Sequence, residues 1–416
     1  MRNTMKISAA AALMLGFAQP VLADSAETKG GLTVKTDDGR FEFKLGGRFH
    51  IDAYAFDGCS VGGVDCADGT TLGGMFLRRG YLTSTGKLYG WKFKHEFDPA
   101  ASSSAQSTWR EAWVSTEVLG GEIMIGQFKP FRSMEELTSS NDILIMERPY
   151  STASSLYGGR QFQLGVGYKL PFSMGMWALS GYNLKAIGGT VTDGMGVSTR
   201  LTFLPIESEG ANVHLGLVYG VDNFGRTGTG LPATGGPSAA SIAGRTSGTQ
   251  VTGLSSTSLG ATAPGESQTT YSAEVAASFG PGFVQAEYAN STLGQASGVS
   301  DMDVTSYYVQ GSFFLTGESK PYKKDRGTFG SPKPIGEAGA FEATGRYDLI
   351  ESPDKTGTTG KPEVTQITLG VNWYLNPNVR LMLNYSMGEQ ETTNTTNSTK
   401  TATELNAIAL RTQLSF

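Results

Sequence analysis

The 416-residue chain carries 33 basic and 38 acidic side chains, a net charge of −5, which argues against the strongly basic surface of a nucleic-acid-binding domain. Charged residues are only 17% of the chain, against about 25% in ordinary soluble domains, while Gly reaches 56 residues, aromatics 10% and mean hydropathy is −0.19. Past the first two dozen residues no stretch offers the roughly 18 apolar residues of a spanning helix, so a helical membrane bundle is excluded, and the composition suits a barrel with one face in lipid and one in water.

At the N-terminus, Arg2 and Lys6 precede an apolar run from Ile7 to Phe17, and Val21-Leu22-Ala23 follows. This is the order of a secretory signal, with an apolar part too short to span a bilayer, and cleavage is expected after Ala23. Residues 1–23 are then the signal peptide, 24–39 an N-terminal periplasmic segment and 40–416 the barrel.

The first barrel segment, 40–56, alternates with period two. Phe41, Phe43, Leu45, Phe49 and Ile51 share one parity, and Arg40, Glu42, Lys44, Arg48, His50 and Asp52 the other. Such a dyad marks a strand between two different solvents. Similar segments follow at 75–86, 89–98, 108–119, 121–129, 160–170, 175–186, 195–205, 211–222, 268–279, 282–290, 302–316, 339–351, 362–375, 379–389 and 403–416. Sixteen strands is an even number, as a closed antiparallel transmembrane barrel requires. The last ends on Phe416, with Ile408, Leu410 and Leu414 in phase, a terminal aromatic that resembles an outer-membrane assembly signal.

Connections alternate in length. Leu119-Gly120-Gly121, Pro171-Phe172-Ser173, Gly280-Pro281-Gly282 and Asn376-Pro377-Asn378 are short and rich in turn formers, as periplasmic turns should be. Segments 57–74, 130–159, 223–267 and 390–402 are long, as external loops should be, and 223–267 is a Gly/Ser/Thr-rich surface loop. The link 316–338 departs from the rule, being long, basic and periplasmic. Cys59 and Cys66, the only cysteines, lie in the first external loop, where an oxidising compartment favours a small disulfide. No further ligands stand near them for a metal.

Catalytic chemistry finds no foothold. There is no G-x-S-x-G or H-E-x-x-H, only three histidines, and no cofactor motif. Cations are more suggestive: Arg48 has lumenal parity, one of Arg78 and Arg79 must point inward, and Lys92, Lys94 and Arg110 follow. Loop 130–159 adds Lys129, Arg132, Arg148 and, just beyond, Arg160. Such a lining concentrates anions in a narrow pore, and guanidinium forks suit phosphate. Glu42, Asp52, Glu96, Glu111, Glu135, Glu136 and Glu147 lie in the same region, so a mixed, self-paired lining is the alternative. Ser133-Met134-Glu135-Glu136 matches a capping box and predicts a short helix in the loop, which by folding inward would set the constriction.

Gly126-Gln127-Phe128-Lys129-Pro130, the run Glu136 to Asp142 and Met146-Glu147-Arg148 resemble the phosphate-selective porin O and P family. Leu77-Arg78-Arg79, Trp91-Lys92-Phe93, Gly159-Arg160, Gly339-Ala340-Phe341-Glu342 and Arg346-Tyr347 extend the resemblance over most of the mature chain. It implies a homotrimeric, sixteen-stranded porin of the Gram-negative outer membrane, embedded in lipid, with an inward-folded third loop and passive flow of small anions such as phosphate or polyphosphate. Arg78, Arg79, Lys129 and Arg132 match its constriction, and Lys320, Lys323, Lys324 and Lys333 its lysine cluster at the periplasmic vestibule. Loop 223–267 holds only Arg226 and Arg245 where the family's stronger phosphate binders carry an arginine ladder. A weak to moderate anion preference is therefore expected, with a general diffusion porin of little charge selectivity as the alternative.

Overall fold

A computed structural model of the chain describes residues 25–27, 31–57, 72–99, 109–153, 156, 161–184, 194–224, 241–246, 249–252, 265–295, 300–352, 361–393 and 400–416. Sixteen strands form the barrel: β1 (Phe41–Asp57), β2 (Leu72–Leu88), β3 (Trp91–Phe97), β4 (Trp109–Val118), β5 (Gly121–Phe128), β6 (Gln163–Phe172), β7 (Gly175–Asn183), β8 (Met195–Ser208), β9 (Ala211–Asn223), β10 (Gly265–Phe279), β11 (Gly282–Gln295), β12 (Met302–Phe314), β13 (Ala340–Glu351), β14 (Lys361–Tyr374), β15 (Val379–Thr393) and β16 (Lys400–Ser415). Each pairs antiparallel with the next, and β16 closes on β1 from Asn406 opposite Asp57 to Ser415 opposite Arg48. Closure leaves no open edge, the condition for crossing lipid with strands. Below that seam the strand Leu32–Lys35 pairs with Glu42–Leu45 of β1, and Ser25–Glu27 pairs with it in turn.

Every expected strand is present, with ends shifted by a few residues. Pro171 and Phe172 remain in β6, so the predicted turn there sits one residue later, at Ser173–Met174. Outward positions are apolar and exposed, as Leu215, Leu217, Val275, Val284, Leu369, Leu383 and Leu410 illustrate. Aromatic side chains mark both margins of this belt. Phe172–Phe203, edge to face, and the stacked pairs Phe341–Trp373 and Phe49–Phe416 lie near the short turns, with centroids 5.6, 5.3 and 6.1 Å apart. Tyr219, Tyr271, Tyr288 and Tyr307 form a row across β9–β12 nearer the long loops, with Tyr219 opposite Tyr271 and Tyr288 opposite Tyr307. From Tyr271 to Phe279 the strand rises about 27 Å, or about 20 Å along the normal at the usual tilt, close to the apolar band of a transmembrane barrel.

Two irregularities decide what the lumen holds. The register of β1 and β2 slips between His50/Arg79 and Ile51/Leu77, leaving Arg78 as an extra residue. The register of β3 and β4 slips between His95 and Phe97, so Arg110 and Glu111 share one step. A β-bulge breaks strict alternation. Adjacent charged residues, Arg78 with Arg79 and Arg110 with Glu111, therefore both reach inward. The Gln127 amide donates to the carbonyls of Trp109 and Arg110 at 2.5 and 2.8 Å, tying β5 to the second bulge.

The third external loop, L3, leaves β5 and folds into the barrel. It holds α1 (Met134–Leu137) and α2 (Tyr150–Ala153). Ser133 caps α1 by accepting from Glu136 N at 3.2 Å, as the capping box predicts. The reciprocal arm differs: Glu136 accepts instead from Gln161 N at 2.7 Å, tying the two ends of L3 together. L3 also overturns the expectation of a uniformly wet inner wall. Its Met146, Tyr150 and Leu156 pack on inward Leu293, Met302, Val304, Ile350, Val364 and Met382, so a large arc of the inner wall is dry.

The link between β12 and β13 is no simple turn. It carries a two-rung hairpin, Tyr322–Lys323 with Thr328–Phe329, that enters the lumen from the periplasmic side. Phe329 and Tyr322 pack with Phe283, Ala276 and the L3 residues Met134, Leu144 and Ile145.

Candidate functional site

L3, the hairpin and the inward faces of β1–β4 and β15–β16 enclose a cavity of about 490 Å3. Among the described residues that line it are eight cations, Arg48, Arg79, Lys94, Lys129, Arg148, Lys323, Arg326 and Arg380, and four carboxylates, Glu96, Glu111, Asp142 and Asp325. Neither reading of the sequence stands alone. Some cations are self-paired: Arg48 meets Glu96 at 2.9 Å, Lys94 meets Glu111 at 2.8 Å and Lys323 meets Asp142 at 2.5 Å. Others are held only by neutral atoms. Arg79 sits 3.3 Å from His50 Nδ1, and Lys129 donates to the Glu136 carbonyl at 2.5 Å, with its ammonium 5.5 Å from the centre of the Phe162 ring. Arg380 donates to the carbonyls of Asn141 and Ile143 at 3.1 and 2.8 Å. Among the described residues none of these three has a carboxylate in ion-pair range.

A cation held by backbone carbonyls keeps its place without losing its charge to a neighbour. Arg148 is intermediate, donating to the carbonyls of Glu135 and Thr138 with the Glu135 carboxylate 3.7 Å away. Burial and the adjacent Arg148 pull the pKa of Lys129 well below that of an ordinary lysine. Burial opposes ionisation of Asp142, yet Lys323 and the hydrogen bonds of Ser331 hold its carboxyl below the usual value, so the pair is charged.

Several expected constriction residues lie elsewhere. Arg78 reaches inward but forks onto Glu147 of L3 at 2.9 and 3.1 Å, outside the cavity lining. Arg132, itself in L3, is fully buried against the wall, donating to the Tyr182 hydroxyl at 3.2 Å with Glu136 and Asp222 at 3.9 and 4.0 Å. Both are loop anchors: the wall cation Arg78 meets an L3 carboxylate, and the L3 cation Arg132 meets the wall carboxylate Asp222. Arg160, Arg226, Cys59 and Cys66 fall outside the described residues, as does the side chain of Arg245. The four vestibule lysines form no single cluster. Lys320 is buried on Glu342 at 3.2 Å and lies over the rings of Phe283 and Phe314, while Lys323 lines the cavity. Lys324 pairs with Glu207 at 2.5 Å, and Lys333 is exposed. Arg380 was missed, although its inward parity with Met382 and Asn384, just past the turn at Asn376-Pro377-Asn378, could have revealed it.

Residues 43–416 match the family model described as phosphate-selective porin O and P. The chain belongs to this family of porins. Porin O of Pseudomonas aeruginosa is 30% identical over 396 residues, covering 89% of either chain. Among solved structures, an anion-selective porin from Comamonas acidovorans superposes with a TM-score of 0.55 at 13% identity, over 90% of this chain and 100% of that one. The trimer form of OmpT, an outer membrane protein of Vibrio cholerae, gives 0.53 at 11% identity, over 90% and 99%. At such identities these structures speak for the fold alone. The porin is a sixteen-stranded channel of the Gram-negative outer membrane.

Proposed function

We propose that this porin passes small anions by passive diffusion, with phosphate and polyphosphate among its solutes. The observation that carries the reading is the set Arg79, Lys129 and Arg380, which faces the central cavity with no carboxylate in ion-pair range among the described residues. Fixed cations in a narrow, low-dielectric passage raise the local anion concentration and repel cations. The family's description as phosphate-selective supports the same solute class. The paired carboxylates Glu96, Glu111 and Asp142 temper the field, which favours moderate over strict selectivity.

The reading includes export through the signal at 1–23, cleaved after Ala23, and a homotrimer. For the latter, a solved structure that shares the fold, OmpT of Vibrio cholerae, has a trimer form. The test is the zero-current potential of purified channels in a planar bilayer under a potassium chloride gradient. An anion-preferring sign is expected. A cation-preferring sign rejects the reading, and a value near zero favours the general diffusion alternative.

A further inference from the structure

The periplasmic hairpin supplies Lys323, Asp325 and Arg326 to the cavity lining, so something must hold a short two-rung hairpin inside a water-filled lumen. Its own ladder is too small to do so. Two seats are visible. On one side Lys323 and Ser331 bind Asp142 and Asn141 of L3: Ser331 N donates to Asp142 Oδ1 at 3.0 Å, and Ser331 Oγ donates to the Asn141 carbonyl at 3.0 Å. On the other side stands a fully buried cluster on the inner wall. Arg200 of β8 uses every guanidinium nitrogen. Nε donates to both Glu274 oxygens at 3.0 and 3.1 Å and Nη2 to Oε2 at 2.7 Å. Nη1 and Nη2 then donate to the hairpin carbonyls of Arg326 and Gly327, each at 2.8 Å. His214 of β9 lies between Glu274 Oε2 at 3.1 Å and the Tyr322 hydroxyl at 2.8 Å. Gly327 has φ 60°, and a Cβ there would approach Arg200 Nη1 at 3.0 Å, so the turn fits the guanidinium closely.

We propose that Arg200, Glu274 and His214 are positioning residues that seat the hairpin as a second constriction element, placing Lys323 and Arg326 in the passage opposite L3. Glu274 is the fixed point. It orients the guanidinium through three contacts and the imidazole through one, and these groups grip the hairpin at its turn and at its first strand. None of the three lines the central cavity, so their effect on permeation passes through the hairpin. Because the seat and the L3 contact grip opposite sides, the hairpin is clamped rather than hinged from one end.

Replacing one member of a buried pair strands the other charge, so the test replaces both, Arg200→Gln with Glu274→Gln. The inference rests on the anion-preferring reading only for the sign of selectivity. The parent channel's zero-current potential tests that reading, whereas the change in conductance tests the seat. The expected result is a barrel that still forms, judged by its heat-modifiable migration, with a higher single-channel conductance and a zero-current potential shifted toward zero. Lys323→Gln should shift the potential in the parent but add nothing in the double variant, since its ammonium has already left the passage. Parental conductance and potential in the double variant, or an equal shift from Lys323→Gln in both backgrounds, overturns the proposal. If the double variant does not fold, Tyr322→Phe gives the readout, because it removes only the His214 contact. A smaller change in the same direction supports the seat, and unchanged conductance and potential overturn it.

Discussion

Two arcs of one barrel treat their inner faces differently. From β11 to β14 the wall presents Leu293, Met302, Val304, Ile350 and Val364 to L3, and the lumen there is as dry as a protein core. From β1 to β4 the wall presents Arg48, Arg79, Lys94 and Glu111, and the cavity opens against them. Both arcs obey the same outward rule, an apolar belt, because no water meets that face. They differ inside because a folded loop is not water. Where L3 lies against the wall, an apolar partner is stabilising and an unpaired charge costly. Where L3 stands away, charged side chains border the cavity and can act on a solute. The inner face thus records where the loop goes as much as where water goes.

The sharpest way to break this comparison is to cut L3 from the dry arc. Tyr150 is buried, its hydroxyl donates to Gln366 at 3.1 Å and its backbone N–H to Asp348 at 3.0 Å. Tyr150→Ala should cost about 3–5 kcal/mol, read as a lowered midpoint of denaturant unfolding in detergent, and should raise conductance by loosening L3. An unchanged midpoint would show that the dry arc is not a core.

Next in size is Arg132→Gln. With Arg132 gone, Glu136 and Asp222 lose a buried partner, at a cost of about 1–3 kcal/mol, while phosphate block of the chloride current stays at its parental level. Weakened block with unchanged stability would restore Arg132 to the constriction.

Lys129→Gln should do the reverse, costing about 1 kcal/mol and weakening anion preference plainly. Because burial and Arg148 depress the pKa of Lys129, its charge is lost as pH rises through values where ordinary lysines stay protonated. Anion preference should therefore fall on alkaline titration of the parent and fall less in Lys129→Gln, as zero-current potentials across pH will tell. The smallest effect belongs to Glu96→Gln. It removes one carboxylate from beside Arg48 and should move the zero-current potential slightly further in the anion direction.

Much of this was legible in the sequence because lipid enforces period two. The sixteen strands, the inward parity of His50, Lys94 and His214 and the helix capped by Ser133 all follow from local pattern. What escaped depends on long-range packing. A bulge at Arg78 erases the choice between neighbours that alternation imposes, and the Glu147 waiting for that guanidinium lies on a loop sixty-nine residues away. Lys320 and Lys324 read alike as solvated lysines of one basic link, yet one is buried on Glu342 and the other rests on Glu207. The hairpin was invisible for the same reason: Tyr322–Lys323 and Thr328–Phe329 are too short to show a period, and residues on other elements, among them Arg200, His214 and Asp142, hold them in the lumen.

The direct test of whether cations without a carboxylate in ion-pair range among the described residues make this passage anion-preferring is phosphate block of single-channel chloride current, compared between the parent and Arg79→Gln/Lys129→Gln/Arg380→Gln. The three-residue variant should show little block and a potential near zero, with the barrel intact. Block equal to the parent's in that variant would contradict the assignment, since the charge credited with drawing in anions would have been removed without consequence.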